Sequence, residues 1–209
     1  NERTLVDEEL ASWLAKREGS ALAVSVQASG TETSVGVADA IEAIRVPITQ
    51  GSNDHQPLSE ALGGTAHQWV YFDSKSVFMA LSPLGIHSGP ATGDVLLAHW
   101  LNQPAGKSPR LGDLVERHLG VTLPATKADQ LLPEDHPVGP GVEAWCALQL
   151  WMGLVDGLEP GTRTVLESIE LPLAKVLADM QHRGIGSNRG QLDSLEVELG
   201  DTVATHEKA

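Results

Sequence analysis

Apolar positions along the first third of the chain switch between two periods. Leu10, Trp13 and Leu14 recur at helical spacing and predict a helix over Val6–Arg17, with Asp7 placed as its cap. Three short β-branched segments follow, Ala21–Gln27, Thr33–Ala38 and Ile41–Ile48, separated by polar turns. They predict strands in an antiparallel meander. A short helix at Gln56–Leu62, ended by Gly63-Gly64, leads to a fourth strand, Gln68–Phe72. Asp73 then caps a helix over Ser74–Leu84.

From Thr92 onward only helical spacing remains. Helices are predicted over Thr92–Asn102, Arg110–Leu119 and Glu143–Leu158, with the Pro- and Gly-rich loop Val121–Pro140 before the last of these. A long helix is predicted over Thr164–Arg183, kinked by Pro172. Gly184 stops it, and Ser187 or Asn188 caps a final helix to about Ala204. The order is three strands, a helix, a strand, then helices. It predicts an α/β fold with a small mixed sheet and a C-terminal helical extension.

Composition narrows the function. With 14 basic and 28 acidic residues the net charge is −14. A polyanion is repelled by such a surface, although exposed charges are screened beyond about 8 Å at physiological salt. The densest basic stretch is Lys107, Arg110 and Arg117. The one cysteine, Cys146, excludes an internal disulfide and is read as a small buried apolar residue. With no signal-type apolar segment at the start, this points to a reducing, cytoplasmic setting. The chain does not begin with Met and is read as a mature product or an excised fragment. Ala105-Gly106-Lys107-Ser108 looks like the end of a phosphate-binding loop, but Leu101 stands where that pattern requires glycine. The eight histidines are scattered, and His99 and His118 are read as surface or groove residues.

Two stretches carry more specific information. Leu166–Ile185 reads LESIELPLAKVLADMQHRGI. It resembles the junction between the exonuclease and polymerase domains of bacterial family-A DNA polymerases, through Glu170, Leu171, Pro172-Leu173, Val176-Leu177, Met180 and Gly184-Ile185. Ser187-Asn188 stands where the family continues with Val-Asp. Lys75–Gly120 is similar to the exonuclease domain itself, at Gly85-Ile86, Leu101-Asn102, Leu111, Asp113-Leu114, Arg117 and Leu119-Gly120. The resemblance implies a ribonuclease-H-like 3′–5′ exonuclease fold over 1–160 and a junction with the first polymerase helices over 161–209. It also implies a parent DNA polymerase that uses magnesium and carries polymerase and 5′-nuclease domains on the same chain, in the bacterial cytoplasm at the nucleoid.

Active members of the family hold two divalent cations with four carboxylates, an arrangement that stabilises the attacking and leaving oxygens of phosphodiester cleavage. Carried onto this chain, the first-strand pair falls at Val24 and Val26, and the second motif at Val77. The last aspartate falls at Trp145, with its tyrosine at Gly141. None of these can ligate magnesium, and Ala21–Ser29 contains no acid. The resemblance is therefore to the degenerate class, known in actinobacterial and Bacillus-type polymerases. It implies a domain without catalytic residues, metal or cofactor of its own. The alternative is a rearranged nuclease site drawing on Glu32, Asp73 and Asp94, with Asp156 read as a surface acid. A further alternative is an independent protein-binding adaptor. The vestigial reading predicts exposed apolar residues on the last helices, among them Leu192, Leu195 and Leu199.

Overall fold

A computed structural model describes residues 2–29, 32–49, 51–104, 108–124 and 138–207. The turn at Gly30-Thr31, the Ala105-Gly106-Lys107 segment and most of the loop expected over Val121–Pro140 lie outside them. The six-stranded sheet has the order β1-β4-β3-β2-β5-β6. Its centre is the expected meander: β2 (Ala21–Ser29), β3 (Glu32–Ala38) and β4 (Ala43–Ile48), paired antiparallel with Val24 opposite Val37 and Val26 opposite Val35. Alternation sets which side chains enter the core: Ile44, Val46 and Ile48 of β4 are buried, while Ala43, Arg45 and Pro47 are half-buried. β5 (Gln68–Tyr71) runs parallel to β2. Two two-residue strands complete the edges, β1 (Arg3–Thr4) beside β4 and β6 (Gly93–Asp94) beside β5. The sequence pattern did not reveal them, because two residues carry no period.

Helices cover the sheet. α1 (Asp7–Ala15) buries Leu10, Trp13 and Leu14. Its expected cap differs: Val6 is the N-cap residue, and Asp7 stands inside the helix with φ 47 and no capping side-chain bond. α1 packs on α2 (Gln56–Gly63), and Arg17 ties it to the β3–β4 turn by bonding Asp39 and Glu42. α3 (Ser74–Leu81) is capped by Asp73, as expected, and a 3₁₀ turn extends it to Leu84. The helix expected from Thr92 begins later, as α4 (Val95–Asn102), because Gly93-Asp94 pair with β5 first. α5 spans Leu111–Leu119. α6 (Pro140–Val155) crosses β2 and β3 and buries Ala144, Cys146, Ala147, Leu148 and Leu150.

α6 can lie so close to the sheet because glycines stand at the crossings. A methyl group on Gly36 of β3 would sit 2.0 Å from the carbonyl carbon and oxygen of Pro140. Gly93 likewise admits the indole of Trp151, whose ring would meet a methyl there at 2.6 Å. The Glu2 carboxylate accepts from the Gly141 N–H at 2.7 Å, placing a negative charge at the N-terminus of α6, where the helix dipole favours it.

Where the sequence predicts a kink at Pro172, the helix widens locally instead. α7 (Pro160–Val165) and α8 (Leu171–Arg183) form one helical rod joined by a π-helical turn at Leu166–Glu170, in which the Leu171 N–H donates to the Leu166 carbonyl. Pro172 has no N–H to offer one turn back, and the wider spacing just before it absorbs the mismatch. α8 lies along α3, burying Leu171, Ala174 and Ala178. The buried cluster built on the sheet includes Leu166, Leu171 and Ala178, so it continues past the division expected at 160/161. Beyond it, α9 (Arg189–Glu207) is exposed from Arg189 to His206, with Leu192 56%, Leu195 51% and Leu199 63% accessible, as expected. No helix among the described residues is long and apolar enough to cross a membrane.

Two predictions follow from this packing. Gly36→Ala forces a methyl group into main-chain atoms that belong to both the sheet and α6, and should destabilise the domain by at least about 2 kcal/mol in urea unfolding. The second concerns Asp94, 2% exposed, whose carboxylate accepts from the Ser74 N–H at 2.7 Å and the Leu97 N–H at 3.0 Å and so clamps the starts of α3 and α4 together. Burial, reinforced by the nearby Asp73 charge, outweighs those bonds and raises its pKa from 3.8 to about 6. Between those values the native state keeps a proton that the unfolded chain has released. This group's stabilising contribution is therefore complete below about 3.8 and lost as pH rises through about 6, with a slope of up to about 1.4 kcal/mol per pH unit. Unfolding midpoints of Asp94→Asn measured from pH 4 to 7 should lack that component.

Candidate functional site

β2 outruns its neighbour. Its pairing with β5 ends where Val24 stands opposite Tyr71, yet the strand continues to Ser29. Beyond that point, at the carboxyl ends of two parallel strands, a groove of about 280 Å³ opens between β2, the start of α3, the start of α5 and the first turn of α6. Crevices at this position are where open α/β sheets commonly take ligands. The groove has an apolar floor of Val24, Val26, Phe72, Val77 and Leu111. Its polar rim is Ser25, Asp73, Ser76 and Glu143.

Three of the five positions singled out in the sequence meet here: Val24, Val26 and Val77. Val24 is 1% exposed, while Val26 and Val77 are half-buried. Gly141 and Trp145 do not join them. They lie four residues apart on one stripe of α6, and that stripe faces the β3–β4 side. A methyl group on Gly141 would stand 2.7 Å from the Ile44 carbonyl oxygen, and the Trp145 indole N–H donates to the Ala40 carbonyl at 3.2 Å. The α6 residue that reaches the groove is Glu143, whose Oε2 accepts from the Ser25 hydroxyl at 2.7 Å. Sequence reasoning missed it, although it is the only acid in Pro140–Val155.

The alternative trio does not assemble. Asp73 borders the groove, but its two oxygens are engaged by the Ser76 N–H and hydroxyl, which close the first turn of α3. Asp94 is buried and spent as the clamp on α3 and α4. It is the N-cap of α4 rather than a first-turn acid. Glu32 stands at the hairpin end opposite Ser29, three residues and so roughly 10 Å along the strand from Val26. Asp156 is exposed past the far end of α6. His118 is exposed, whereas His99, expected at the surface or in a groove, is 8% exposed on α4 and its pKa is lowered, chiefly by burial. Cys146 is buried and its thiol is pushed up by burial and by the Glu143 charge.

The donor set in the groove does not fit a pair of divalent cations. Hard cations need several oxygen ligands, and the floor offers only hydrocarbon. Among the described residues, no three His, Cys, Asp or Glu side chains come together as a metal site.

No family model matches the chain. Curated relatives do. It is 29% identical to the DNA polymerase I of Synechocystis sp., over 73% of this chain and 16% of that protein. It is 25% identical to the DNA polymerase I of Mycobacterium tuberculosis, over 91% of this chain and 23% of that protein. The chain thus spans less than a quarter of these relatives' length. Among solved structures, the POL domain of Pol1 from M. smegmatis, in complex with DNA primer-template and dNTP, superimposes with a TM-score of 0.78 at 25% identity, over 98% of this chain and 36% of that one. The exoribonuclease RNase D of Escherichia coli gives 0.65 at 16% identity over 86% of this chain and 51% of that one, a likeness of fold alone. Sequence relatives and fold agree: this chain is similar to the exonuclease-like domain of bacterial DNA polymerase I.

Proposed function

We propose that this domain is a vestigial 3′–5′ exonuclease, without catalytic activity, that serves the architecture of a replication and repair polymerase in the bacterial cytoplasm. The observation that carries this reading is the hydrocarbon floor of the groove, where Val24, Val26 and Val77 stand at the positions that the family resemblance assigns to metal ligands. Magnesium then belongs to the parent polymerase and not to this domain.

The architectural role draws support from the C-terminal helices. α8 presents two faces, one of Leu171, Ala174 and Ala178 packed within the domain, the other of Leu173, Val176, Leu177 and Met180 left 40–62% exposed. Apolar surface of this extent calls for a cover. The polymerase domain of the same parent chain is its natural partner, with the exonuclease-like domain bracing it and spacing it from a 5′-nuclease domain. The domain itself contacts DNA weakly or through its parent. The nuclease alternative loses ground because Glu32, Asp73 and Asp94 do not converge.

A direct assay decides between them. The purified domain, incubated with end-labelled single-stranded DNA and magnesium or manganese, should trim nothing above background, and Glu32→Ala should behave identically. Metal-dependent trimming abolished by Glu32→Ala would establish an active exonuclease. A gain-of-binding experiment probes the groove from the other side. Ser25→Asp and Gln27→Glu place two carboxylates on the face of β2 that meets Glu143, and Val77→Asp adds a third in the groove. This variant should melt several degrees higher with millimolar manganese than without it, while the parent sequence shows no shift, since a ligand at about 100 times its Kd stabilises by about 2.7 kcal/mol. If Ser25→Asp, which sets an acid against Glu143, prevents folding, the pair Gln27→Glu and Val77→Asp, at half-buried positions, gives the same comparison.

A further inference from the structure

Among the described residues β2 presents an open edge. Residues 25–29 pair with β3 on one side, whereas on the side vacated by β5 no strand pairs with them among the described residues. Main-chain donors and acceptors on such an edge are a template for an added strand, and an extended peptide satisfies them at little entropic cost. The edge runs directly beside the groove, whose floor of valines, Phe72 and Leu111 offers alternating side chains an apolar seat. Among the described residues of the lining, Asp73 and Glu143 are the charged groups, with no lysine, arginine or histidine to balance them. The chain as a whole carries a net charge of −14.

These features select the occupant. A nucleic-acid strand would bring phosphates against two carboxylates, with no cation between them among the described lining residues. A second copy of this chain would set one acidic surface against another. A segment carrying lysine or arginine between apolar residues matches the edge, the floor and the rim at once, and the field of the whole domain steers it inward. We infer that the open edge of β2 and the adjoining groove form a docking cleft for an extended basic polypeptide segment, which lies alongside β2 and sets a cationic side chain against Asp73 and Glu143. This rests on the groove being free of metal, as proposed above.

The test uses the isotope-labelled domain in low-salt buffer with a chelator, titrated with three probes: an end-capped Val-Arg-Val-Arg-Val peptide, its Val-Glu-Val-Glu-Val counterpart and a five-residue oligothymidylate. The basic peptide should shift the amides of residues 25–28, Ser76 and Val77, and bind at least about fivefold more tightly than the acidic one. Glu143→Gln should weaken it about fivefold, and Val26→Arg, which puts a cation into the groove from a half-buried position, should abolish it. Shifts elsewhere or none, equal binding of the acidic peptide, indifference to both substitutions, or oligothymidylate moving the same amides would overturn the inference. Repeating the oligothymidylate arm with magnesium separates the two readings. Trimming of the oligonucleotide removes the vestigial reading and the metal-free groove with it, whereas a silent peptide titration without trimming removes docking alone.

Discussion

Everything in this fold is arranged around one near-contact, the first turn of α6 against β3 at Gly36. The sheet can accept a 16-residue helix across its two central strands only because that position has no side chain. Once the helix is seated there, its other relations follow from helical geometry. Glu2 neutralises its amino end, Gly141 and Trp145 turn towards the β3–β4 side, Trp151 spreads over Gly93, and Glu143 swings round to meet Ser25. In an active nuclease of this architecture, cations tie the strand to the helix through acids on both. Here a hydroxyl–carboxylate bond and close packing hold the same two elements together.

Much of this was legible in the residues. Valine and isoleucine alternation located the central strands, and the 3.6-residue period located the helices, because burial on one face leaves a regular trace. Short segments left none: β1 and β6 exist through pairing with β4 and β5, not through any preference of Arg3–Thr4 or Gly93–Asp94. Asp73 was readable as a cap because its partner lies three residues on. The role of Asp94 was not, since one of its two donors, Ser74, is twenty residues distant.

The site was legible in the same uneven way. The resemblance named Val24, Val26 and Val77, and all three line the groove, yet the β2 residue that bonds α6 is Ser25, between the two valines. On α6 the family tyrosine is missing, so nothing in the residues fixed the helical phase: the resemblance named Trp145, and the residue that lines the groove is Glu143, two positions earlier. On a strand such an offset keeps the same face. On a helix it turns the chain by about 200° and points to the opposite side.

On the vestigial reading proposed above, the burial of Val24 gives the loss of chemistry a direction in time. A single acid reinstated at that 1%-exposed position enters hydrocarbon with no cation and no companion ligands, and an unpaired buried charge costs several kcal/mol against a typical total stability of about 5–15. Each step back towards a nuclease is thus penalised before any of them is rewarded. On that reading the domain can drift among apolar linings freely, whereas the return requires several simultaneous changes, and the groove behaves as a ratchet.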